Sequence, residues 1–211
     1  MKTTIKLLVV TVLVLATFSQ GITARAGGGG GTFRFKGQSA NAHFSSVDPS
    51  GCIYTDVFVY ASEQIIATQP GPGTPSSGAS LSILQFDACT GTQLIGADGF
   101  ASLTGPDFQV SKKLNSATLN TTVNVFDYLT GTSYDVSIAL TWTGISPLGR
   151  QTSEFHYQFA GCHQNYHNNG TFRFAQASGS VSDGVTDFAA SPSADASISS
   201  AKSGSVSTGC I

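Results

Sequence analysis

The segment SEFHYQFAGCHQNYHNNG, residues 153–170, carries three of the chain's four histidines and one of its two glutamates. In an extended strand Glu154, His156 and Gln158 share one face, and Phe155, Tyr157 and Phe159 share the other. His163 and His167 follow in a stretch that reads as a polar turn ending in Asn-Gly. If that turn folds back over the strand, Glu154, His156, His163 and His167 could hold zinc or copper at about 2.0–2.2 Å with one position left for water. The same groups could act as a general acid–base pair. No HExxH spacing is present, and a half-exposed strand followed by an ordinary turn accounts for the same residues.

Other chemistry is thinner. Asp183 and Asp187 in SDGVTD would be half of a calcium loop, but the D-x-D-x-D-G pattern is missing and a turn explains them equally. GISPLG falls short of the G-x-S-x-G nucleophile elbow, and Glu63 and Glu154 are the only glutamates for a glycosidase-like pair. No cofactor is expected unless one of these clusters holds zinc, copper or calcium. The tyrosines and the tryptophan (Tyr54, Tyr60, Tyr128, Tyr134, Trp142, Tyr157, Tyr166) form a pool from which a sheet face could present rings to a glycan; most strand aromatics pack in a core instead.

These residues need elements to hold them, and the chain's ends and totals bound what those are. Lys2 and Lys6 precede an apolar run from Leu7 to Phe18, and Ala24-Arg25-Ala26 supplies a small-x-small cleavage pattern, so residues 1–26 read as a signal peptide. Residues 27–31 read as a glycine-rich spacer and 32–211 as one domain. Cleavage would remove Lys2, Lys6 and Arg25, leaving 7 basic against 12 acidic residues and a net charge of −5. Without a basic cluster there is no footprint for nucleic acid, and no membrane insertion of the mature chain is expected. The expected location is extracellular.

Period-two alternation recurs throughout. Leu119, Val123 and Val125 share one face of TLNTTVNVFD. Tyr134, Val136, Ile138, Leu140 and Trp142 share one face of TSYDVSIALTW, and YLTG joins the two runs as a hairpin. SANAHFSSV, CIYTDVFVYAS, ASLSILQFDAC, DFQVSKKL, SEFHYQF, TFRFAQASGSVS and ADASISSAKSGSV read as further strands. No capped helical pattern occurs. The expected fold is therefore all-β: an antiparallel β-sandwich, or partly closed barrel, of roughly nine or more strands. The pentapeptide GTFRF occurs at 31–35 and again at 170–174; it reads as two similar strands that bury their Phe pairs and do not face each other. The stretch 68–78, TQPGPGTPSSG, reads as an exposed loop, and Gln69, Pro70, Pro72, Thr74 and Pro75 are its candidate binding residues.

Four cysteines in a secreted chain point to two disulfides. Pairing CIYTDVFVY with LSILQFDAC around the proline stretch sets Cys52 opposite Cys89, Phe58 near Ile83 and Tyr60 near Leu81, leaving Cys162 for Cys210. The segments GQSANAHFSSVDPSGCIYTDVFVYASE, LNTTVNVFD, LTWTG and ASGSVSDG resemble a group of secreted bacterial all-β proteins with no assigned activity. That resemblance implies the fold and compartment, and no site residues. The function expected from all this is non-enzymatic extracellular binding or adhesion, with a glycan or protein ligand. A small extracellular hydrolase or metal-binding protein using Glu154 and His156, and a structural envelope or matrix component, are the alternatives.

Overall fold

The computed structural model describes residues 31–68, 71–159, 161–189 and 192–210, with Phe159 and Cys210 described by backbone alone. The expected signal peptide, the spacer up to Gly30, and Gln69 and Pro70 lie outside the described residues. Among the described residues ten strands follow one another without a helix: β1 (Gly31–Val47), β2 (Ile53–Thr68), β3 (Gly73–Asp87), β4 (Thr92–Ser102), β5 (Phe108–Val110), β6 (Ser116–Asp127), β7 (Thr132–Gly144), β8 (Gly149–Phe159), β9 (Cys162–Ser182) and β10 (Asp195–Cys210). Accordingly, no helix among the described residues is long and apolar enough to cross a membrane.

All ten belong to one antiparallel sheet that curls on itself. Its order is β10-β1-β2-β3-β4-β6-β7-β9-β8, and a further pairing of β9 with β10 joins the ends into a partial ring. Of the two expected forms, this is the partly closed barrel rather than the two-sheet sandwich. The ring is thinnest between β4 and β6, where only Ala97–Gly99 pair with Val125–Asp127, and β5 lies along β6 beside that seam. β8 stands outside the ring as the free margin of the sheet. It continues the line of β7 along β9 after a break at Ile145–Leu148, with Gly144 opposite Ala175 and Gly149 opposite Phe172.

The alternation in sequence becomes the inside and outside of the ring. Val123, Val125, Val136, Ile138, Leu140 and Trp142 point inward with Phe44, Val57, Val59, Leu81, Ile83 and Ile198, all of them buried. Trp142 is completely enclosed, and its Nε1–H donates to the backbone carbonyl of Asn41 at 2.7 Å, so the one polar atom of the indole is satisfied. The YLTG hairpin closes β6 onto β7 as expected, with Asp127 opposite Thr132.

Four expectations change. The β2–β3 register sets Val57 opposite Ile83 and Val59 opposite Leu81, while Phe58 and Tyr60 face Ser82 and Ser80. The expected register is one residue away and would have set an outward Phe58 against an inward Ile83; a one-residue slip sends every side chain to the wrong face. The Cys52–Cys89 disulfide forms nonetheless, with a Cα–Cα distance of 5.2 Å. It lies beyond the last ladder pair, Ile53 with Asp87, where the Asp87 carboxylate accepts the N–H groups of Cys89 and Thr90 and turns the chain back toward Cys52. For the second bridge, Cys162 stands opposite Cys210 in the β9–β10 register, and the Cys210 side chain lies outside the described residues.

Most of the expected 68–78 loop is instead ladder: Gly73–Gly78 pairs with Ser62–Ala67. Pro75 is tolerated there because β4 joins β3 only from Gly78 onward, so the proline's missing N–H falls on an unpaired margin. The HQNYHNNG stretch is the first half of β9 rather than a turn, held between β8 and β10. Finally, β4 carries no strand signal because Gly96 and Gly99 interrupt it. Those glycines leave room for the Tyr128 ring and for the backbone and valines of β6 to come close.

Candidate binding cleft

Both copies of GTFRF lie against β10, one on each side of it. In β1, Phe33 stands opposite Val206 and Phe35 opposite Gly204; in β9, Phe172 stands opposite Ser199 and Phe174 opposite Ser197. Alternation then places Phe35, Ser39 and Asn41 of β1, Ser197 and Ser199 of β10, and Tyr166, Asn168, Phe172 and Phe174 of β9 on one face, turned away from the ring interior. Tyr60 and Gln64 of β2 and Gln151 of β8 share it. These strands fold that face into a single cleft of about 460 Å³, reaching from β8 to β2 across β9, β10 and β1.

Rings form its walls. Phe35 stacks on Tyr166 with centroids 5.8 Å apart, Tyr166 meets Phe155 at 5.6 Å, and Phe172 and Phe174 meet edge to face at 5.3 Å. The Phe35 ring occupies the space above Gly204 where any side chain would stand, which is why β10 needs glycine at that point. Between the rings lie hydroxyls and amides. Ser39 bonds Ser199 at 2.7 Å, and the Asn41 amide donates to Ser197 at 3.0 Å. Among the described residues Asn168 Oδ1 is buried without a hydrogen-bond partner.

Among the described residues no carboxylate, ammonium, guanidinium or imidazole lines the cleft. Its two ionisable groups are phenols, and both are held neutral. Burial raises Tyr60, against hydrogen bonds from Ser39, Ser62 and Gln64 that act the other way. Burial pushes Tyr166 up to about 12, with Tyr60 nearby adding to the rise and a hydrogen bond with Asn168 opposing it. Two aromatic hydroxyls that stay protonated through the physiological range are available as donors and acceptors.

None of the candidate metal ligands reaches this cleft. Glu154, His156, His163 and His167 project from the opposite face of the β8–β9 ribbon. Glu154 stands opposite His167, with Oε1 3.0 Å from Nδ1, whereas His156 bonds Asn165 Oδ1 at 2.7 Å and His163 stands opposite Gln158. Among the described residues the one group of three whose ligand atoms all lie within 4.8 Å of one another is Cys52, Asp87 and Cys89, and its sulfurs are already bonded to each other. The four residues therefore form one His–carboxylate pair with separate neighbours, because a flat ladder spreads them along two strands where a turn would have gathered them. Asp183 and Asp187 spend their Oδ1 atoms on backbone N–H groups, of Val185 and Thr186 and of Val181 and Ala189 respectively, as turn formers do. Of the candidate loop residues, Pro72, Thr74 and Pro75 are exposed at the β2–β3 tip and line no part of the cleft.

From the aromatic pool, Tyr60 and Tyr166 line the cleft, while Trp142 is core and Tyr134 packs against the core. Phe35, Phe172 and Phe174 of GTFRF and the amides Gln64, Gln151 and Asn168 carry no signal of their own in the sequence, since their shared hollow exists only once five strands are side by side. Compared with known proteins, the chain matches no family model, no curated protein and no solved structure.

Proposed function

We propose that this is a secreted, non-enzymatic binding protein whose cleft takes an uncharged, hydroxyl-rich ligand, a glycan being the class that fits. The observation that carries the reading is the lining: aromatic rings, amides and hydroxyls with no ionised group, in a hollow of about 460 Å³, within the usual range for small-ligand sites. A sugar ring offers C–H faces to stack on aromatics and hydroxyls that both donate and accept. The orphan Oδ1 of Asn168 and the neutral phenols of Tyr60 and Tyr166 supply matching partners. The hydrolase reading uses Glu154 and His156, which bond His167 and Asn165 separately on the solvent-exposed face turned away from this cleft.

Glycan-array screening followed by titration calorimetry on the mature protein tests the proposal. Saturable binding that changes little with salt is expected, with Tyr166→Ala and Asn168→Ala each weakening it by about tenfold, the equivalent of one stacking or hydrogen-bond contribution. Turnover of a glycan abolished by Glu154→Gln, or binding indifferent to both cleft substitutions, would overturn it.

A further inference from the structure

The margin formed by β8 is built to pair with another strand. Among the described residues nothing pairs with its outer side, so it presents an open row of backbone donors and acceptors. Natural edges of this kind are blunted by proline, by charged side chains, lysine above all, or by a bulge. Over eleven residues β8 has neither proline nor lysine, its charged residues are Arg150 near one end and Glu154, and it runs in unbroken register against β9. It also exposes two large rings, Phe155 at 54% and Tyr157 at 61%.

We infer that β8 pairs antiparallel with β8 of a second copy of this chain, about a two-fold axis at Phe155. The phase of the hydrogen bonds permits it. Two residues link Phe159 to Cys162, which makes these a hydrogen-bonded closing pair. The odd-numbered residues of β8 thus bond inward to β9, and Arg150, Thr152, Glu154, His156 and Gln158 direct their N–H and C=O groups outward. A two-fold at Phe155 joins even with even: Glu154 with His156 of the other copy, twice, and Thr152 with Gln158. Charge selects this register over its two nearest neighbours. A shift that centred the pair on Glu154 would oppose it to its own copy, and one centred on His156 would oppose two imidazoles, whereas the axis at Phe155 sets carboxylate against imidazole on both sides. On the other face Phe155 meets Phe155 in a close, non-hydrogen-bonded pair. This extends the existing row of Phe35, Tyr166 and Phe155 through the axis into the second copy. The two clefts then open on the same face of one continuous sheet, each Gln151 about 13 Å from the axis along its strand, an arrangement suited to a repeating ligand.

Phe155→Cys tests both the pairing and the register. A non-hydrogen-bonded pair brings Cα atoms to about 4.5 Å, within disulfide reach, and no described cysteine is a free thiol that could compete. Under mild oxidation Phe155→Cys is expected to give a covalent dimer, and Tyr157→Cys, which would face Ser153 of the other copy, is expected to give none. Sedimentation of the unmodified protein should show a dimer that His156→Glu weakens at least tenfold with the circular dichroism unchanged. A wild-type monomer at high micromolar concentration would overturn the inference, as would cross-linking through Tyr157→Cys in place of Phe155→Cys. Either result leaves glycan binding by the single cleft unaffected, so the two proposals fail separately.

Discussion

The repeated GTFRF allows a substitution experiment in which the sequence context is constant and only the tertiary surroundings differ. A Cβ added at Gly170 would lie 2.1 Å from the carbonyl oxygen of Ser200 and 3.0 Å from its carbonyl carbon. Both belong to the backbone of β10, so β9 and β10 must move apart by roughly 1 Å to reach ordinary contact. Overpacking of that kind costs about 1–3 kcal/mol. Loosening one ladder hydrogen bond beside it adds about 1 kcal/mol. Gly170→Ala is therefore expected to destabilise by about 2–4 kcal/mol. At Gly31 the nearest neighbour of the added Cβ is the Phe33 ring at 3.6 Å, an ordinary contact. Gly31→Ala should stay within about 0.5 kcal/mol of the parent, the lost chain freedom of glycine offsetting any small strain. Urea unfolding followed by circular dichroism separates the two: with a slope of about 1–3 kcal/mol per molar urea, Gly170→Ala should lower the midpoint by about 1–2 M and Gly31→Ala hardly at all. Equal midpoints for the two variants would refute the close approach of β9 to β10, and with it the closure of the ring.

Two further outcomes follow from groups around the cleft and the β2–β3 ladder. Tyr166, raised to about 12 from an ordinary 10.0, favours the folded state while neutral. That contribution is fully present below pH 10 and is lost as pH rises toward 12; phenolate absorbance should show a late-titrating tyrosine, and Tyr166→Phe should flatten the decline in stability over that interval. Replacing both Cys52 and Cys89 by serine opens a loop of 37 residues. It should cost about 4 kcal/mol in the chain-entropy account, measured as a lower urea midpoint with a nearly unchanged spectrum.

Much of the fold was legible along the chain. The alternation of β6 and β7 named most of their buried residues, Leu119, Val123, Val125, Val136, Ile138, Leu140 and Trp142, though not Ala117 or Asp127, because a side-chain period of two leaves a half-buried strand few other ways to read. The Cys52–Cys89 bridge was legible for a similar local reason, since two strands joined around a proline-rich turn bring their outer ends together. The register between those strands was not. It depends on which face the ring encloses, and a bridge placed beyond the ladder's end accommodates either phase. β4 was hidden because its glycines answer to neighbours far along the chain, the Tyr128 ring and the β6 backbone, rather than to strand propensity.

The candidate site divides the same way. Residue type alone singled out Glu154, His156, His163 and His167, the chemically most versatile side chains of their segment, and their strand alternation was right for Glu154 and His156. Whether they converge was a question of three dimensions, and β9 answers it by running straight where a turn was expected, which holds His163 and His167 four ladder pairs apart, two to either side of Asn165. The cleft reverses the case. Tyr60, Tyr166, Asn168, Phe35, Phe172 and Phe174 are ordinary strand residues in sequence, separated by up to about 140 positions. Only the return of β9 and β10 onto β1 puts them around one hollow and removes the water that would otherwise keep the two phenols easy to ionise. A strand's own sequence determines which side chains share a face; which strands then lie side by side, and so what that face can bind, is decided by ring closure.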